Sequence, residues 1–197
     1  MKGVYVVKKL FDVLISLVSL VVLSPILIII CILIKLTSKG PIFFVQRRLG
    51  KNDVEFNILK FRTMRVDTPN VATDMLKDPE LYITAFGKFL RSTSLDELPQ
   101  LINILKGDMS FVGPRPALYN QTDLNEERRR LGINKIVPGL TGWAQINGRD
   151  TISLEEKVKF DKEYMERKSF LFDIKIIWLT FWKVVTKKDI QEGKVSR

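Results

Sequence analysis

Val13-Leu14-Ile15-Ser16-Leu17-Val18-Ser19-Leu20-Val21-Val22-Leu23-Ser24-Pro25-Ile26-Leu27-Ile28-Ile29-Ile30-Cys31-Ile32-Leu33-Ile34 is a run of 22 residues without a charge. As a helix rising about 1.5 Å per residue it measures roughly 33 Å, enough to span the hydrocarbon core of a bilayer. A secretory signal peptide fits less well. The run is long, no small-residue cleavage site follows, and Lys35, Thr37 and Lys39 come next, so the segment is expected to be retained. At its centre Pro25 removes a backbone donor and crowds the carbonyl four residues back, while the Ser24 hydroxyl can bond a carbonyl freed there. Two readings follow: a kinked spanning helix, or a re-entrant hairpin of two short helices that enters and leaves on one face. Lys2, Lys8 and Lys9 before the run and Lys35 and Lys39 after it give no positive-inside asymmetry, which permits the second.

The rest of the chain is charged. Its 197 residues carry 32 Lys and Arg against 22 Asp and Glu, a net charge of +10, and no histidine. The length suits one domain. The missing imidazole excludes Ser-His-Asp and Cys-His triads and His-ligated zinc, leaving proton transfer to carboxylates, Lys, Tyr or water. Cys31 is the sole cysteine, which excludes an intramolecular disulfide, an iron–sulfur cluster and a redox dithiol, and suggests a reducing compartment. The basic excess suits nucleic acid, anionic lipid or phosphorylated substrates alike.

Downstream, Phe43-Phe44-Val45 and Val54 to Leu59 are strand-rich runs around the turn-prone Gly50-Lys51-Asn52-Asp53, which predicts a β-hairpin over residues 40–65. Phe56, Ile58, Lys60 and Arg62 share one face at period two, so an apolar face continues into two cations, either at a site or in a salt-bridged strand end. Residues 71–91 and 94–106 read as helices, the second stopped by Gly107. Gly113-Pro114-Arg115-Pro116, Pro138 to Gly142 and Asn147-Gly148-Arg149 read as ordered loops. Ser153 and Glu156 form a capping box that starts a helix to about Lys168. From Phe170 to Lys188 an apolar periodicity carries Trp178, Phe181 and Trp182 beside lysines, which suits a core helix or a helix lying in the membrane interface.

The reactive pair is Asp96-Glu97. Ser94 and Glu97 match a capping box, a purely structural pattern. Against this, Pro99 falls too late for a helix that starts at Leu95; a start near Pro99 leaves the acidic pair in a turn. With a helix N-terminus and Arg91 nearby, a carboxylate there is expected to stay ionised, as a nucleophile or metal ligand requires. In the second constellation, Pro114 and Pro116 present Arg115 from a stiff extended segment suited to capturing phosphate. The run Arg128-Arg129-Arg130 after Glu126-Glu127 reads as a solvated, salt-bridged helix face. No phosphate-binding glycine loop, dinucleotide fingerprint or nucleic-acid motif is present, so nucleic acid is not an expected partner.

Taken in order, Lys9-Leu10-Phe11-Asp12 with Ser24-Pro25, Gly40-Pro41-Ile42-Phe43 with Gln46-Arg47, Lys60-Phe61-Arg62-Thr63-Met64, Leu95 to Gln100, Lys106 to Pro116, Pro138 to Gln145 and Asn147-Gly148-Arg149 cover nearly the whole chain. Together they resemble the bacterial sugar transferases, the small monotopic phosphoglycosyl transferases that begin polysaccharide and glycoconjugate assembly on polyprenol phosphate. The resemblance implies an α+β, monotopic membrane protein on the cytosolic face of the bacterial cytoplasmic membrane. It implies a re-entrant membrane helix (1–36) broken at Ser24-Pro25, a catalytic domain (37–168) with a β-hairpin and amphipathic helices, and an interfacial helix and tail (169–197). It further implies that Asp96, nucleophile and Mg²⁺ ligand, attacks the β-phosphate of a UDP-sugar, that UMP leaves, and that polyprenol (undecaprenyl) phosphate takes the phosphosugar from the enzyme. Glu97 would be the acid/base or orienting partner, and Lys60, Arg62, Arg91 and Arg149 would hold phosphates. Pro114, Arg115 and Pro116 would meet the nucleotide. The short architecture with one membrane segment implies, by the same resemblance, an N-acetylated amino sugar, including 6-deoxy forms, as donor, and Asp67 to Asp74 and Ala117 to Gln121 look most like capsule-type members. Two rival classes are a membrane-anchored basic module that binds anionic lipid or nucleic acid without chemistry and a non-catalytic envelope scaffold; a binding module has no use for a paired carboxylate among cations.

Overall fold

The computed structural model describes residues 2–69, 76, 78–148 and 152–186. Helix α1 (Lys2–Thr37) contains the whole apolar run, with Pro25 inside it. Helical structure continues through the proline, so the run forms one element. Pro25 has no N–H for the Val21 carbonyl, and the Ser24 hydroxyl donates to that carbonyl instead, at 2.8 Å. The stripe that meets the rest of the protein runs through Asp12, Ser16, Leu20, Leu23, Leu27, Ile30 and Ile34, at helical spacing, while Leu17, Val18, Val21, Val22, Ile28, Ile29 and Ile32 stand exposed.

The hairpin forms as read. Strands β1 (Phe43–Leu49) and β2 (Glu55–Phe61) pair antiparallel, Phe43 opposite Phe61 and Leu49 opposite Glu55. The connection turns through Asn52 and Asp53, both at positive φ, where short polar side chains are tolerated. One face of β2 packs inward: Ile58 joins Leu101, Ile104 and Met109, with Leu20 and Leu23 of α1 against them.

The helix expected over 71–91 is shorter. Residues 70–75 and 77 lie outside the described residues; a 3₁₀ turn spans Pro79–Leu81, and α2 covers Ala85–Ser92. Pro79 suits a first turn and not a helix interior, and Thr84 restarts the chain by accepting from Gly87 N at 2.9 Å. After a 3₁₀ turn at Leu95–Glu97, α3 (Gln100–Lys106) begins behind Pro99 and ends on Gly107 at φ +85°. Ser94 makes no side-chain cap.

Beyond α3, β3 (Ser110–Val112) pairs in parallel with β4 (Gly139–Thr141), a pairing that the loop reading did not foresee. The two chains approach so closely that a Cβ on Gly139 would lie 2.1 Å from Gly113 N. Between these strands lies α4 (Thr122–Arg130); after them come α5 (Trp143–Ile146), α6 (Leu154–Arg167) with its Ser153–Glu156 capping box, and α7 (Phe170–Thr186). Val112, Ile146, Tyr164, Phe172 and Ile176 form the core beneath α7. Lys8 of α1 donates to Asp173 Oδ2 at 2.5 Å and to the Val112 carbonyl, and Phe111 N donates to Asp12 Oδ1. The apolar helix is thus bound to the domain from Lys8 to Ile34. The other face of α7 leaves Trp178 62% and Trp182 55% exposed, with Leu171, Phe181 and Val185 beside them.

Candidate functional site

Asp96 and Glu97 occupy the tight turn between α2 and α3, each only 8% exposed. Local sequence sets this up. Ser94 takes positive φ and the chain turns at once, and Pro99, with no N–H to satisfy, delays the next helix until Gln100. Leu95 anchors the turn by packing on Ile30, Ile34, Phe61 and Leu90, so the acidic pair lies one residue from the contact with the apolar helix.

Two cations converge on Glu97. Lys60 Nζ donates to Oε1 at 2.8 Å, and Arg115 Nη2 donates to the same oxygen at 3.0 Å. The hairpin supplies the lysine, since the alternation that buries Ile58 carries Lys60 to the same face two residues later. The Gly113-Pro114-Arg115-Pro116 segment supplies the arginine. Burial pushes the Lys60 ammonium below the ordinary lysine range, with Arg115 adding to the effect and Glu97 and Asp96 opposing it. Four residues that the sequence singled out, from three separate segments, therefore meet at one place.

Arg62 is engaged elsewhere. Arg62 lies just past the end of β2, and its Nη2 donates to the carbonyl and hydroxyl of Ser38 at 2.9 and 2.6 Å. Through these bonds it anchors the chain leaving α1, while its N–H continues the hairpin ladder by donating to the Ile42 carbonyl at 2.9 Å. Arg91 stands in the last turn of α2, immediately before the acidic turn. Arg149 lies outside the described residues. Pro114 and Pro116 flank Arg115 as read.

One expectation is reversed. Arg128 is buried, not solvated: its Nε and Nη2 donate to Asp161 Oδ2 at 3.0 and 2.6 Å, and its Nη1 donates to the Arg115 carbonyl at 2.9 Å. Arg129 and Arg130 do lie at the surface, paired with Asp53 and Glu127. Helical spacing held the signal, since Leu124 and Arg128 are four apart and share the inward face.

Among the described residues no group of three or more carboxylate, histidine or cysteine side chains gathers as a metal cage. Asp96 offers a single buried carboxylate, the donor type that a hard cation such as Mg²⁺ takes from a protein alongside phosphate and water.

Residues 4–187 match the family described as Bacterial sugar transferase. The uncharacterized sugar transferase EpsL of Bacillus subtilis (strain 168) is 41% identical over 187 residues, covering 95% of this chain and 91% of the relative. The exopolysaccharide production protein ExoY of Sinorhizobium fredii is 38% identical over 188 residues, 88% of this chain and 83% of its own. A UDP-glucose:undecaprenyl-phosphate glucose-1-phosphate transferase of Escherichia coli (strain K12) is 43% identical over 193 residues, 92% of this chain; the chain spans 40% of that longer protein.

Proposed function

The chain belongs to the bacterial sugar transferase family, and from that premise we propose that it transfers a sugar-1-phosphate from a UDP-sugar to polyprenol phosphate, releasing UMP. The observation that carries the proposal is the Asp96-Glu97 turn, with Lys60 and Arg115 on Glu97 and with Leu95 packed against the apolar helix. A carboxylate oxygen of Asp96 attacks the β-phosphorus. The bond from that phosphorus to the bridging oxygen breaks, and UMP leaves with the electron pair. A phosphate oxygen of polyprenol phosphate then displaces Asp96, giving the polyprenyl diphosphate sugar and restoring the carboxylate. Mg²⁺ bound at Asp96 would act as a Lewis acid on the diphosphate. Lys60 and Arg115 provide fixed positive charge where negative charge develops.

The test is UMP release from a panel of UDP-sugars with undecaprenyl phosphate; no release from any donor sinks the reading. The panel also tests the donor, proposed to be an N-acetylated amino sugar for capsule or glycoconjugate assembly. The relatives from Escherichia coli and Klebsiella pneumoniae are named for UDP-glucose. A clear preference for UDP-glucose or UDP-galactose overturns the amino sugar and leaves the transfer reaction standing. Of the stretch 67–74 behind the capsule expectation, residues from Asn70 on lie outside the described residues.

We propose further that α1 is re-entrant, with both its ends and the catalytic domain on the cytosolic face. From Lys8 to Ile34, roughly 39 Å of helix, α1 is held against the domain by polar contacts at Lys8 and Asp12 and apolar packing beyond, a length greater than the hydrocarbon thickness of about 30 Å. A fully spanning α1 would carry Asp12, Asp173 and the hairpin base into lipid. The exposed tryptophans of α7 suit the headgroup zone of the same surface. With Cys31 replaced by serine, a cysteine at position 3 is expected to resist membrane-impermeant labelling of sealed cells; efficient labelling means a spanning helix.

Lys60 makes the reaction pH-dependent. Its lowered pKa means that the ammonium is lost at a pH below the ordinary lysine range, and Glu97 then loses one of its cations. UMP release is expected to fall on that alkaline limb. Lys60→Arg, which stays protonated, should move the limb to higher pH, and identical limbs in the two proteins would remove Lys60 from the explanation.

A further inference from the structure

We propose that Arg128, seated on Asp161, is a positioning residue for the transfer: it fixes the backbone of Arg115 so that the Arg115 guanidinium reaches the Asp96-Glu97 turn. This rests on the reading of that turn as the reacting centre. Pro114 and Pro116 have no N–H groups, so the segment is tied to the protein chiefly through its carbonyls. Those carbonyls are taken in succession. Gly139 N donates to Pro114 O at 2.9 Å, Arg128 Nη1 to Arg115 O at 2.9 Å, Arg48 Nη1 to Pro116 O at 3.0 Å and Leu49 N to Ala117 O at 2.9 Å.

Among these donors Arg128 is the one that holds the residue whose side chain meets Glu97. It is itself held, since Asp161 Oδ2 accepts from two of its nitrogens and leaves the third for the loop. Arg128 is 7% and Asp161 2% exposed, and Ala117, Leu124, Ile133 and Val158 pack around the place where α4 and α6 meet. An ion pair serving only to join α4 to α6 would need no nitrogen on the Arg115 carbonyl. Lysine, a single ammonium without the planar fork, cannot place two nitrogens on Asp161 Oδ2 and a third on the Arg115 carbonyl.

The experiment is a double-mutant cycle in steady-state UMP release, pairing Arg128→Lys with Arg115→Ala in the full-length protein in membranes or detergent. Arg128→Lys keeps a positive charge opposite Asp161, so no buried carboxylate is stranded. It is expected to lower kcat/KM about 10- to 100-fold, the scale of misplacing a reacting-site group by an ångström. In the Arg115→Ala background it should cost far less, there being no guanidinium left to misplace. Asp161→Asn, which keeps an oxygen acceptor for Arg128, should show the same coupling and decides the matter if Arg128→Lys does not fold. Additive losses in an active wild type, or unchanged kcat/KM in Arg128→Lys, overturn the positioning role alone. A wild type that releases no UMP from any UDP-sugar overturns the role together with the function beneath it.

Discussion

Asp96→Asn is expected to abolish UMP release, with or without polyprenol phosphate, and to leave the protein without covalently bound phosphosugar. In the proposed route the carboxylate is the group that forms the new bond to phosphorus. An amide of the same shape has neither the charge nor the lone-pair reactivity to replace it, so the loss should reach about 10⁴-fold or more, as for other covalent nucleophiles. The substitution is nearly isosteric in a turn held by Leu95 and by the start of α3, and an unchanged thermal melt would exclude unfolding as the cause. The informative arm omits the lipid. Enzyme, Mg²⁺ and a sugar-labelled UDP-sugar are mixed, and intact mass is read for a phosphosugar adduct. Wild type that never carries the adduct, or an Asp96→Asn protein that does, would favour direct transfer between the two substrates.

Why that carboxylate was visible before folding, while much of its surroundings was not, follows from the range of the interactions involved. Pro99, Gly107, the Ser153–Glu156 box and the Asn52-Asp53 turn act on their own or adjacent backbone, and each ends or starts an element where the sequence says it should. The capping-box reading of Ser94 and Glu97 loses for the same local reason, since Pro99 moves the helix start. The hairpin, with two alternating runs and a turn between them, is similarly self-contained.

The parallel pair β3 and β4 lacks such a signal. Three residues are too few to show a period, and its partners are brought together by glycine contacts across an intervening helix. Arg128 was hidden by composition, because a run of three arginines after two glutamates looks solvated until one asks which of them shares a helical face with Leu124. Arg62 shows the limit of strand alternation, which fixes a face and not a partner: Lys60 reaches Glu97, and Arg62, two residues on, reaches Ser38. Of the acidic turn, then, the carboxylate pair and the two cations that meet Glu97 were legible, and what fixes the cations in place was not.

Glu97→Gln is expected to lower the rate by about 10²- to 10⁴-fold without removing the covalent step altogether. Glu97 Oε1 accepts from both Lys60 and Arg115, which places the two cations roughly 5 Å apart around one oxygen. At an effective dielectric of about 20 their mutual repulsion is on the order of 3 kcal/mol, and the glutamate charge is what offsets it. Glutamine still offers an oxygen but no charge, so Lys60 and Arg115 should separate or Lys60 should shed its proton, and Asp96 should meet the diphosphate in a less ordered field. An orienting role and a proton-transfer role then differ in their pH signatures. If Glu97 orients, its removal withdraws an anion that favours protonated Lys60, so the alkaline limb of UMP release moves to lower pH and both half-reactions slow. If Glu97 only shuttles a proton, one half-reaction slows and the limb set by Lys60 stays where it was. The shared oxygen favours the first outcome, and a limb unmoved in Glu97→Gln would rule it out.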